Sequence, residues 1–166
     1  YITGLHYFYL AHWRIDIGFP KFRITDLEYF YFWDYVVEDP NCYGMVEVTQ
    51  RRNGKSFRAG CSIYETTSRY KKKRSGIQSK DLDAAETFFD VHVVQPYAEL
   101  ESIFKPEVDL EAGPTPKKKI RFFLTTKRGL KGTREQEDSK TKQLKSLLNF
   151  QSSNEKAYDG KKLLRY

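Results

Sequence analysis

Residues 43–65 read YGMVEVTQRRNGKSFRAGCSIYE, and the reading of this stretch decides the expected fold. Two runs in which apolar and polar residues alternate flank Asn53 and Gly54. Asn-Gly supplies the positive φ angles that a type I′ turn needs, so the stretch predicts a β-hairpin. With Asn53 and Gly54 as the loop, Val48 faces Ala59, Val46 faces Cys61 and Gly44 faces Ile63. One face then carries Val46, Val48, Phe57, Ala59, Cys61 and Ile63. The other carries Met45, Glu47, Thr49, Arg51, Ser56, Arg58, Ser62 and Tyr64. A half-buried sheet requires that kind of sorting. In the same register Cys42 lies about 13 Å along the strand from the partner of Cys61, too far for a disulfide. Cys61 reads as a small core residue.

Upstream, residues 22–37 are dense in aromatics: Tyr29, Tyr31, Trp33 and Tyr35 on one parity, Phe30 and Phe32 on the other. Aromatic density of this order favours a strand covered on both faces. Residues 1–13 are uncharged apart from His6 and His12 and are too few to span a bilayer, which takes about 20 apolar residues. They are expected to pack on the core, with contact to a membrane surface through residues 1–13 as the alternative. The chain begins at Tyr1, which reads as a processed or truncated N-terminus.

Downstream, Arg69, Lys71, Lys72, Lys73 and Arg74 form a basic loop. Asp83 to Glu86 has capping-box spacing and opens a helix. The run 88–94 reads equally as helix or strand. Pro96 suits a helix start, with Tyr97, Leu100 and Phe104 following at helical spacing until Lys105 and Pro106 end it. Ile120, Phe122 and Leu124 alternate with Arg121 and Phe123, which predicts an edge strand guarded by lysines. Residues 133–150 read as a helix with a stripe of Leu144, Leu147 and Leu148, and 151–166 as an extended tail.

The fold expected is therefore α+β: an antiparallel sheet of about five strands, including the 43–65 hairpin, packed with two or three helices, plus a basic C-terminal extension. The domain division is an aromatic core over 1–112, a Pro/Gly linker at 113–116 and a basic segment over 117–166. Charge marks that boundary. Residues 1–116 hold 14 Lys/Arg and 17 Asp/Glu, whereas 117–166 hold 15 and 5, so the net of +7 is −3 joined to +10. Of the aromatics, 21 precede the boundary and 5 follow it.

Asymmetry of this kind points to a polyanionic partner. The candidate phosphate contacts are Arg69, Lys71, Lys72, Lys73, Arg74, Lys117, Lys118, Lys119, Arg121, Lys127, Arg128 and Lys131. Lysines and arginines contact a nucleic-acid backbone electrostatically without reading bases. Catalytic signatures are missing: there is no Walker A loop, no G-x-G-x-x-G and no nucleophile elbow. No Cys/His spacing fits zinc, and no cofactor is expected. Glu38 and Asp39 with Glu47-Val48-Thr49 lack the lysine of a metal-dependent nuclease triplet. His92, among valines, reads as a satisfied core residue. The function expected is a non-catalytic structural subunit of a large assembly, first of all a ribonucleoprotein, binding RNA through its C-terminal third beside other protein subunits. The alternative is an interaction subunit of a membrane-associated complex. A third reading is an enzyme whose site the sequence does not display. The location expected is intracellular, organelle or nucleus, since 71–74 and 116–121 match short basic nuclear signals.

Overall fold

A computed structural model of the chain describes residues 2–106, 108, 118–122 and 144–153. Helix α1, Gly4–Ala11, starts at Thr3, whose hydroxyl accepts the His6 N–H at 3.2 Å. It buries Leu5, His6 and Tyr9. The His6 ring stacks on Phe30 at 5.0 Å and on Phe22 at 5.7 Å. Trp13, fully buried, lies 5.0 Å from the Tyr64 ring. The largest aromatic of residues 1–13 is thus committed to the core, while Tyr7 stays exposed.

Residues 22–37 do not form a strand. Ile24–Glu38 is helix α2, and it buries Asp26, Tyr29 and Phe30. Positions 26, 29 and 30, with half-buried Trp33, make the i, i+3, i+4, i+7 face of a helix. Exposed Tyr31, Phe32 and Tyr35 on the other side fill in the pattern and hide that period.

The expected hairpin is also overturned. Residues 43–50 belong to no strand, and Lys55–Arg69 is helix α3. Its buried side is largely polar: Arg58, Ser62, Glu65, Thr66 and Ser68 accompany Cys61. Hydroxyls satisfy themselves on the helix's own carbonyls, Ser62 on Arg58 at 3.0 Å and Thr67 on Ile63 at 2.7 Å. Asn53-Gly54 does turn the chain, with Gly54 at φ +70, but the turn leads into the helix rather than a second strand.

Strand β1, Arg74–Ser79, precedes helix α4, Leu82–Phe89. The α4 cap is Asp81, accepting the Ala84 N–H at 2.7 Å, two residues ahead of the expected box. A π-helical turn, Asp90–Val94, carries α4 into the short helix α5, Gln95–Glu99. Pro96 has no N–H to offer the His92 carbonyl four residues earlier, and a wide turn accommodates that loss. The same His92 carbonyl lies against Gly60 of α3, where a Cβ would come within 2.2 Å of it. Gly60 is what lets α3 approach the π-turn so closely.

Two further strands complete the described sheet: β2, Lys119–Phe122, and β3, Ser146–Ser152. The order is β1-β3-β2, with β3 parallel to β1 and antiparallel to β2. The five-stranded antiparallel sheet is therefore replaced by a three-stranded mixed one among the described residues. The edge position expected near Ile120 and Phe122 is where β2 lies. Residues 144–150 are not helical: Ser146, Leu148 and Phe150 point into the core at period two in the central strand. The linker at 113–116 lies outside the described residues, but the sheet joins strands from both sides of it.

Burial gives this core a pH dependence. Desolvation lowers the pKa of His6 and of His92, and the carboxylates of Asp26 and Asp16, respectively, offset it only in part. The folded state thus binds these protons less readily than the unfolded chain, whose imidazoles titrate near 6.5. Stability is full above that pH and is lost as pH falls below it, by up to about 1.4 kcal/mol per unit for each histidine. Thermal melts from pH 8 to 5 should be flat at first and then decline. His6→Phe, which preserves the stack, should shallow the decline; an unchanged slope would exclude His6 as its source.

Candidate phosphate-binding site

The correction of the hairpin to a helix moves Asn53-Gly54-Lys55-Ser56 from a surface turn to the start of a 15-residue helix. Gly54 is the N-cap, in the left-handed region at φ +70, ψ 10. A side chain there would be strained, and its Cβ would come within 2.5 Å of Arg23 Nη2. Arg52, two residues earlier, also has positive φ. No side chain caps α3 and no acid occupies its first turn. The first N–H with an acceptor is that of Phe57, on the Gly54 carbonyl at 3.1 Å. The N–H groups of Lys55 and Ser56 have none among the described residues. An uncapped helix start carries about half a positive charge, and Lys55 adds a full one. This arrangement opposes itself until an anion is added.

A cavity of about 550 Å³ opens at this point. Its cationic wall is Lys21, Arg23, Arg52 and Lys55, against a single carboxylate, Asp16. The remaining wall is mostly apolar, from Ile15, Ile17, Pro20 and Phe57, with Tyr9 and His92 deeper in. Tyr9 is fully buried, and burial pushes its hydroxyl pKa up, so it stays protonated. Arg23 lies against that hydroxyl but not at good hydrogen-bonding geometry, which leaves Tyr9 Oη buried without a well-formed partner. His92 Nδ1 is likewise buried without a partner, so His92 is not the satisfied core residue expected. Its ring meets Phe57 edge-on at 4.4 Å.

Behind the loop lies a buried ion cluster. Arg58 and Asp26 are both fully buried and pair at 2.5 Å, and Arg58 also pairs with Glu47. Arg23 joins Asp26 at 2.9 Å from the cavity side. Arg58 Nη1 donates to the Asn53 carbonyl at 3.1 Å.

The structure disperses part of the expected basic set and unites another part. Arg69 is paired with Glu65. Lys71 and Lys72 are exposed in the turn before β1, with the Lys72 N–H on the Leu144 carbonyl at 2.6 Å. The Lys73 ammonium sits 6.0 Å from the Tyr70 ring centre. Lys118 is exposed, while Lys117, Lys127, Arg128 and Lys131 fall outside the described residues. Arg74 and Arg121 both register with Leu147, so the three lie side by side across the sheet. Lys119, Asn149 and Gly76 form the next row on the same face. At a strand spacing of about 4.8 Å, Arg74 and Arg121 stand about 10 Å apart. Ile77, Ile120, Phe122, Leu148 and Phe150 occupy the opposite, buried face.

Set against known protein families, curated proteins and solved structures, the chain matches none. Among the described residues, no helix is long and apolar enough to cross a membrane. The sequence reading missed Lys21, Arg23, Arg52, Gly54, Lys55 and Ser56. The full Walker A pattern is absent, since Thr49 stands where its first glycine belongs, but its second half, Gly-Lys-Ser, is present. The missed signal was Gly-Lys-Ser ahead of a stretch able to be helical.

Proposed function

We propose that this chain binds a nucleotide, through phosphate groups held at the start of α3. One observation carries the reading: Gly54-Lys55-Ser56 opens a long, uncapped helix, with a lysine at its positive end, onto a basic cavity. Phosphates are recognised by free backbone N–H groups and the helix dipole at such a terminus. Here the N–H groups of Lys55 and Ser56 are the donors, and the Lys55 ammonium is the mobile cation that follows the outer phosphates. The Ser56 hydroxyl is the group a magnesium ion accompanying those phosphates would meet. Lys21 and Arg52 add charge at the rim. The cavity is within the size range of small-molecule sites and far larger than one phosphate needs, and its apolar wall suits a nucleoside. Titration of the full chain with a fluorescent ATP analogue and magnesium, competed by unlabelled ATP, GTP and pyrophosphate, tests this reading. Saturable binding displaced by pyrophosphate supports the proposal; no binding at millimolar nucleotide overturns it.

A second reading keeps the polyanion. Exposed Arg74 and Lys119 stand on one face of the sheet, two cations offered to a nucleic-acid backbone. Arg74→Glu with Lys119→Glu is expected to weaken RNA or DNA binding at 50 mM salt by about tenfold or more and to flatten its salt dependence. Nucleotide affinity should not change. Equal nucleic-acid binding by the double variant would remove the sheet face from consideration.

A further inference from the structure

We infer that Arg58 is a positioning residue for the phosphate loop, holding the peptide between Asn53 and Gly54 so that the Gly54 N–H faces the ligand. The inference rests on the phosphate-binding reading of this site. Arg58 lies behind the loop: it is fully buried and does not line the cavity, whereas Asn53, Gly54, Lys55 and Ser56 do. Its guanidinium is immobilised from several sides. Nη1 meets Asp26 at 2.5 Å, Nη2 meets Glu47, and the plane lies 5.0 Å from the Tyr29 ring centre. From this fixed position Nη1 donates to the Asn53 carbonyl at 3.1 Å. The chain has no cis peptide among its described residues, and a trans peptide points its C=O and N–H in opposite directions. Securing the Asn53 oxygen on Arg58 therefore turns the Gly54 N–H away from Arg58. No described residue accepts from that N–H.

Asn53 is held a second time through its side chain, where Thr25 Oγ1 donates to Oδ1 at 3.5 Å. Asp26 joins the two sides of the loop. It binds Arg58 behind and, at 2.9 and 3.2 Å, Arg23 in front, and Arg23 in turn lies against Gly54. Arg52, just before the pinned peptide, has left-handed backbone, which in a residue other than glycine persists only where its surroundings over-determine it. A guanidinium is suited to this role because its planar fork serves three acceptors at fixed angles, which a single ammonium cannot do.

The test compares the full-length wild type, Arg58→Lys and the paired Asp26→Leu/Arg58→Met variant, the last removing both buried charges together. Each is titrated with pyrophosphate and with ATP while the Gly54 amide is followed by NMR, and each is melted to confirm folding at the assay temperature. Arg58→Lys is expected to stay folded, to bind ATP about tenfold more weakly, and to lose more than half of the Gly54 amide shift induced by pyrophosphate. The Lys55 and Ser56 amides, oriented by the helix itself, should still respond. A purely structural role would lower the melting temperature without singling out the Gly54 amide. If Arg58→Lys binds as the wild type does, or if all loop amides respond in proportion, the positioning role is overturned while the phosphate site stands. If the wild type shows no amide shift with either probe, both are overturned. Should the paired variant not fold, Arg58→Lys decides alone.

Discussion

Replacing Lys55 by alanine is expected to weaken nucleotide binding by about a hundredfold while leaving the melting temperature unchanged or slightly raised, since charge-assisted phosphate contacts are strong and a cation at a helix N-terminus is unfavourable. The two effects have opposite signs for one reason. Lys55 occupies the first position of an uncapped helix that has no acid in its first turn. In the empty protein its charge is repelled by the helix dipole, at a cost of about 0.3–1 kcal/mol. In the complex the same charge is neutralised by phosphate. Lys55 is exposed, so its truncation opens no cavity. Equilibrium binding and thermal melts on the same preparation test the prediction. A variant that binds normally, or one that loses binding only because it unfolds, would count against the site.

The second large effect concerns the buried pair. Asp26→Leu alone, or Arg58→Met alone, should cost about 3–5 kcal/mol, because each breaks a fully buried ion pair and leaves the remaining group in the interior with one counter-charge where it had two. At the usual scaling for a chain of this size that is a fall of about 10 °C or more in melting temperature. Asp26→Leu should be the costlier change, since it leaves Arg58 fully buried on Glu47 alone, whereas after Arg58→Met the Asp26 carboxylate keeps Arg23, a cation partly open to water. The double variant should recover most of the loss, since removing a buried pair together is often close to neutral. Glu47, partly exposed, can be rehydrated when Arg58 is gone. A double-mutant cycle by urea denaturation measures the coupling, and strictly additive losses would show that the pair is not a unit.

The same cluster explains why so little of the site was legible in the sequence. The buried side of α3 runs through Arg58, Ser62, Glu65 and Thr66, residues that any pattern-based reading places outside. With those removed from the apolar count, Phe57, Ala59, Cys61 and Ile63 alternate and imitate a strand. Arg58 is buried only because Asp26 and Glu47, 32 and 11 residues away in the chain, come to meet it. In α2 the failure is of the opposite kind, because exposed aromatics blur a face that does have helical spacing. In β3 the leucines could be sorted either way, and what decided was pairing with a strand on each side.

Local chemistry was legible where the deciding partner lies a few residues away. The turn at Asn53-Gly54, a helix opening within two residues of Asp83, a helix start at Pro96 and the alternation of Ile120 and Phe122 were all in the sequence, but the helix expected to continue to Phe104 ends at Glu99. So were the charge map and the weakness of its common motif matches. Which element follows the turn was decided by tertiary structure, and with it the meaning of Gly54-Lys55-Ser56. A glycine with positive φ serves a hairpin or a helix cap equally well. Burying Arg58 on Asp26, and closing Gly60 onto the His92 carbonyl, selects the helix, and the helix converts a surface lysine into a candidate phosphate ligand.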